Sequence, residues 1–130
     1  MLRLAAFAAL PLAVAVPAVA EQRPADGEAE LAQILEGRVA GEPVDCIRSD
    51  ASDGMQVVDE TALVFRRGQT LYVNRPEGAR TIDDWDLPVV FQFGSQLCRQ
   101  DRVEMRDRTS GIPGPSIFLG KFVPYTRSAR

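Results

Sequence analysis

The strongest constraint on this chain is its pair of cysteines. Cys46 and Cys98 are the only two, and they stand 52 positions apart. A bridge between them closes one large loop and ties both flanking segments to its base. Loop-closure entropy puts the stabilisation at roughly 4 kcal/mol as an upper figure, comparable with the whole net stability of a small domain. The competing reading is two unpaired buried thiols. The compartment decides between them, and the first twenty residues point to an oxidising one.

Residues 1–20 run Met-Leu-Arg, then an apolar stretch from Leu4 to Val16, then Pro17-Ala18-Val19-Ala20 before Glu21. One early positive charge, an apolar middle, a helix-breaking proline and small residues at Ala18 and Ala20 describe a secretory signal peptide, cleaved after Ala20. The alternative is an uncleaved anchor. Leu4 to Ala20 reaches only the lower edge of a bilayer span, and Pro11 and Pro17 interrupt it. Without a cysteine after the apolar stretch, a lipid anchor is excluded. The expected location is periplasmic or extracellular, with no stable membrane span after cleavage. There, two distant cysteines are read as a disulfide.

Composition narrows the chemistry. The chain of 130 residues has no histidine, which removes the usual general base of serine and cysteine hydrolases and the commonest transition-metal ligand. With both cysteines paired, thiolate chemistry goes too. No cofactor and no metal ligand set is expected. The formal net charge is −3, unevenly spread: residues 21–98 carry 7 basic and 15 acidic side chains, residues 99–130 carry 7 and 3. The simplest reading is two parts that pack together and neutralise each other. A net-acidic, exported chain is a poor nucleic-acid binder.

After a flexible lead-in at 21–27, Leu31, Ile34 and Leu35 fall at i, i+3 and i+4 and predict a short helix from Glu28 to Glu36, stopped by Gly37. From residue 39 the pattern is strand-like. Strands are expected at Val44–Arg48, Met55–Val58, Thr61–Arg66, Thr70–Asn74, Leu87–Phe93 (a buried strand), Arg102–Arg106 and Ile117–Val123. Pro124 ends the last one. Arg67-Gly68-Gln69 makes a hairpin turn, and in Arg102–Arg106 the pair Val103 and Met105 points inward. Thr109–Pro115, with two glycines and two prolines, reads as a loop, and 127–130 as a tail. The expected fold is mainly β: a small antiparallel barrel or sandwich over residues 28–126, with one short N-terminal helix and one disulfide.

Several stretches taken together resemble a family of small exported proteins of alphaproteobacteria. They are Gly37-Arg38-Val39-Ala40-Gly41-Glu42-Pro43-Val44-Asp45-Cys46-Ile47, Leu71-Tyr72-Val73-Asn74-Arg75-Pro76, Leu97-Cys98 with Asp101, and Leu119-Gly120-Lys121-Phe122-Val123-Pro124-Tyr125. The resemblance implies export and one compact domain. It brings no activity and no functional residue with it.

No constellation commands a catalytic assignment. A calcium-loop pattern finds Asp53, Gly54 and Glu60 in place, but Ser49 and Ala51 fail its first and third positions. Asp83, Asp84 and Asp86 around Trp85 form the densest acidic cluster. With Asp101 they are the only basis for a carboxylate-dependent hydrolase or carbohydrate-processing enzyme. Tyr72, Arg75, Trp85 and Tyr125 are the side chains most like interface anchors. The reading that follows is an exported, non-catalytic binding or accessory module whose partner is a protein or a cell-envelope component. N-terminal sequencing of the exported chain should begin at Glu21. Alkylation of that chain without reductant should label no thiol; two labelled thiols would remove the bridge.

Overall fold

The structure is a computed structural model that describes residues 22–49 and 54–128. The leader with its cleavage position, Asp53 of the calcium-loop pattern and the last two residues of the tail lie outside the described residues.

Local sequence explains the centre of the fold. In β4 (Ala62–Arg67) the residues Ala62, Leu63, Val64 and Phe65 are all buried. Alternate side chains of a strand point to opposite faces, so a continuously apolar strand needs a cover on both. Leu63 and Phe65 enter one core cluster, Ala62 and Val64 another. The hairpin to β5 (Thr70–Asn74) turns at Gly68, whose φ of 58° suits glycine. Tyr72 joins the first cluster; Leu71 and Val73 join the second. β3 (Met55–Val58) pairs with β4 on one side. On the other, β10 (Phe122–Arg127) pairs with β5, and β1 (Arg38–Ala40) closes the sheet in the order β1-β10-β5-β4-β3, all antiparallel.

One face of this sheet is covered by α1 (Gln22–Ile34), through Leu31 and Ile34, with Leu35 just past its end. The apolar stripe is as expected, but the helix starts six residues before Glu28, inside the supposed lead-in. Pro24 reads as a breaker yet sits in the first turn, where its missing N–H has no intrahelical partner anyway. Gly27 is buried against the sheet: a Cβ there would lie 2.0 Å from Thr61 Oγ1 and 2.6 Å from the Asp59 carbonyl oxygen. After the helix, Gly37 takes a φ of 73° and the chain turns into β1.

The other face shares its core with two smaller sheets. β2 (Cys46–Arg48) pairs with β7 (Gln96–Cys98), and β6 (Leu87–Phe91), β8 (Arg102–Arg106) and β9 (Pro113–Phe118) form a third sheet in the order β6-β8-β9. Ile47, Leu97, Val103, Met105 and Ile117 meet Leu63, Phe65 and Phe122 in one cluster. Val103 and Met105 point inward from β8, as expected. Cys46 and Cys98 are direct cross-strand partners and are bridged. Backbone bonds flank them, Arg99 N to Asp45 O at 2.7 Å and Ser49 N to Ser95 O at 3.0 Å. The pair therefore occupies a narrow, non-hydrogen-bonded position of the ladder, where side chains approach closest.

The architecture is mainly β with one helix and one disulfide, and it does not close into a barrel: β1 and β3 end the large sheet. Three local expectations change. The stretch from Ile117 to Val123 is not one strand, because the chain leaves the small sheet at Phe118 and enters the large one at Phe122. Pro124 therefore lies inside β10; its carbonyl accepts from Gly41 N at 2.7 Å, where β1 has already ended, so the missing donor costs the ladder little. The expected loop at 109–115 is strand from Pro113 onward, and the expected strand Val44–Arg48 is a bridge at Val44 followed by β2.

The crossing at Gly120 is held by Asn74, which is fully buried. Its side-chain amide donates to Gly120 O at 2.8 Å, and its carbonyl accepts Gly120 N at 2.9 Å. Asn74→Ala should therefore leave both Gly120 groups unpartnered and cost about 1–3 kcal/mol. Urea unfolding checks this; an unchanged midpoint would show that the crossing needs no clamp.

Candidate interaction face

The residues of β6 decide the most exposed apolar surface. Around it the chain reads Trp85-Asp86-Leu87-Pro88-Val89-Val90-Phe91-Gln92-Phe93. Every odd position is apolar; those within the extended span, Leu87, Val89 and Phe91, share one side, with Trp85 in the turn before it and Phe93 in the bend after it. Val90 packs inward against the core, so the odd positions face out. Trp85 is 61% exposed, Leu87 48% and Phe93 95%, while Val89 and Phe91 are half-buried. The expectation of a buried strand from Leu87 to Phe93 is therefore corrected. β6 ends at Phe91, has β8 on one side only among the described residues, and has an apolar outer face. The signal was present in the alternation. It was masked because the inward positions include apolar Pro88 and Val90, so the run read as uniformly hydrophobic.

Register sets what lies beside the stripe. Leu87, Val89 and Phe91 stand opposite Arg106, Glu104 and Arg102, and Arg102 stands opposite Phe118, 45% exposed. The Arg102 guanidinium sits over the Phe91 ring, 4.2 Å from its centroid, a cation–π contact. Arg106 Nε donates to Glu104 Oε1 at 2.7 Å. The two ends are fixed by turns. Trp85 N donates to Asp83 Oδ1 at 2.8 Å, and the Trp85 carbonyl accepts Arg108 Nε at 2.9 Å. The Phe93 turn is held on β2 by Ser49 Oγ to Gln92 Oε1 at 2.8 Å.

Of the anchors named from sequence, only Trp85 belongs to this face. Tyr72 and Tyr125 enter opposite core clusters, one on each side of the large sheet. Arg75 is held by Glu28 of α1 through two hydrogen bonds, one from Nη2 to Oε2 at 3.0 Å. That pair holds the Glu28 carboxyl below its ordinary 4.5. The structure does not gather the four into one patch.

The acidic cluster is partly assembled. Asp83 and Asp84 meet Asp59, a residue sequence reading did not single out, with one carboxylate oxygen from each within 4.8 Å of the others. Glu60 N to Ile82 O, 3.0 Å, brings the two turns together. Burial pushes the Asp59 carboxyl up; a hydrogen bond from the Asp84 backbone offsets this in part, and the charges of Asp84, Asp83 and Glu60 add to it. Asp101 lies elsewhere and accepts Cys98 N at 2.7 Å. The three oxygens suit a hard cation in kind but fall short of the 6–8 that calcium takes.

Among the described residues no helix is long and apolar enough to cross a membrane. No protein-family model matches this chain, and neither a curated protein nor a solved structure matches it.

Two carboxyl substitutions should move stability in opposite directions with pH. Glu28 has a lowered pKa, so its contribution is present above about 4.5 and fades as pH falls. Glu28→Gln should be less stable at neutral pH, by at most about 1 kcal/mol for a half-exposed pair. Asp59 has a raised pKa, so its ionisation costs stability above its ordinary 3.8. Asp59→Asn should be more stable at neutral pH, with the gain vanishing below that value. Thermal midpoints at pH 3 to 8 separate the two.

Proposed function

We propose that this chain is an exported, non-catalytic binding or accessory module that contacts a protein or cell-envelope partner through the outer face of the β6-β8-β9 sheet. One observation carries the reading: the edge strand β6 turns Leu87, Val89 and Phe91 to its outer side, and Leu87, with Trp85 and Phe93 in the flanking turns, stays in water. Contiguous exposed apolar surface of this kind marks contact sites, and aromatic and arginine side chains dominate the energetics of such sites. Arg102 over Phe91 adds the second ingredient. Export is supported by the pattern of residues 1–20 and by the bridged Cys46–Cys98 pair, which suits an oxidising compartment.

The double variant Leu87→Ser, Phe93→Ser removes exposed apolar groups without opening the core. Its thermal midpoint should stay near that of the parent. Purified from the producing cell and used as bait against envelope extract, it should capture at least tenfold less of whatever the parent captures. Equal capture by both would remove this face from the function.

A further inference from the structure

We propose that the groove along the free edge of β3 takes an extended, cationic peptide segment of a partner protein, which adds to the large sheet as a further strand antiparallel to β3. The site goes beyond the outer face of the small sheet and shares only Leu87 with it.

Hydrogen-bond parity shows what β3 offers. Arg66 N donates to Gly54 O at 2.9 Å, and the register that pairs Met55 with Phe65 sets these two residues opposite each other. Successive residues of an antiparallel strand turn their backbone groups to alternate sides. Gln56 and Val58 therefore face β4, while Met55 and Val57 turn their N–H and C=O groups away from the sheet. β3 ends that sheet, so these groups have no backbone partner among the described residues. An open edge of this kind is a template for strand addition.

The edge opens onto a groove of about 580 Å³, within the roughly 300–1,000 Å³ typical of ligand sites. Glu30 of α1 stands on one wall, and Leu87 and Pro88, at the start of β6, stand on the other. β3 and β6 belong to different sheets and do not pair across the groove. Pro88 has no N–H with which to do so.

The walls dictate the side chains of the occupant. Directly opposed residues of an antiparallel pair share a face. Met55 and Val57 pack toward the small sheets, as Val90 does, so peptide residues opposite them meet Leu87 and Pro88 and are apolar. Val58 packs toward α1, and Gln56 shares its side of the strand. The peptide residues that point to that side meet Gln56 and Glu30 and are basic.

Charge agrees with this pattern. Glu30 and Asp84 line the groove, are exposed, and belong to no ion pair among the described residues. Asp59 and Asp83 stand beside Asp84. Arg108 is the cation of the lining, and its Nε is committed to the Trp85 carbonyl. The three aspartates lie where β3 runs out, so an antiparallel peptide brings its N-terminal, positive end to them. The same acids repel nucleic acid and anionic lipid.

The probe is the synthetic peptide Lys-Val-Lys-Val-Lys-Val-amide with a free N-terminus, titrated into the isotope-labelled chain and followed by NMR. The amide signals of Met55 and Val57 should shift. At saturation their hydrogen exchange should slow at least tenfold more than that of Gln56, which already faces β4. Replacing the lysines of the peptide by glutamates should weaken binding at least tenfold, and so should N-methylating its valines, which removes the donors to β3. Glu30→Lys with Asp84→Lys should keep the thermal midpoint of the parent and lose at least tenfold in affinity. Phe93→Ser, outside the groove, should bind the peptide as the parent does. Met55 and Val57 signals that stay unmoved at millimolar peptide, equal binding of the lysine and glutamate peptides, or equal protection of Gln56 overturns the proposal. Loss of binding in Phe93→Ser also overturns it, by moving the peptide to the outer face.

Discussion

The Asn74 carboxamide ties the end of β5 to the crossing from β9 to β10. It sits at the end of β5 on the face turned to the smaller sheets, with no exposure to water. A buried amide without partners costs as much as a well-made core contact contributes. Here both of its ends are satisfied by the backbone of Gly120, so a side chain takes the place of a strand. That bond pair fixes where the chain passes from β9 to β10. Glycine suits the crossing, because a Cβ would crowd the Arg75 carbonyl oxygen at 3.0 Å. With the crossing fixed, Phe122 enters the core and Val44 pairs with it on the way to Cys46. Leu119 N bonds Asp101 O, whose side chain in turn holds the turn after Cys98. The disulfide is thus one of several ties converging on the same small region.

Segments far apart in sequence meet in space around this region. Arg38–Ala40 pairs with Tyr125–Arg127, Leu71–Asn74 with Phe122–Tyr125, and Cys46 with Cys98. They build the frame. The candidate interaction face lies outside them, on a sheet attached to the frame through Val103, Met105 and Ile117. A rigid frame carrying a separate contact surface is a common division of labour in small binding domains.

The face also shows how an edge strand can be apolar on both sides. β8, in the middle of its sheet, alternates cleanly: Val103 and Met105 inward, Arg102, Glu104 and Arg106 outward. β6 buries Val90 but carries Leu87, Val89 and Phe91 outward, where the charged row of β8 offers only Arg102 as a close neighbour.

Periodicity made the centre of the fold legible: the β4–β5 hairpin with its turn at Gly68, the inward pair on β8, and the helical stripe of Leu31, Ile34 and Leu35 all follow from local alternation. Two cysteines behind a leader-like N-terminal stretch made the bridge legible. The sequence could not show that α1 begins before Pro24, because that depends on Thr61 and Asp59 receiving Gly27. Nor could it show that Asp59 joins Asp83 and Asp84, or that the last apolar run breaks at Gly120 to meet a buried amide 46 residues away. Local pattern determined which segments are strands and which side chains seek cover, since both depend on the steric and solvation preferences of neighbours in the chain. The pairing of sheets decided which apolar rows found that cover and which stayed in water, because burial is a property of the packed whole.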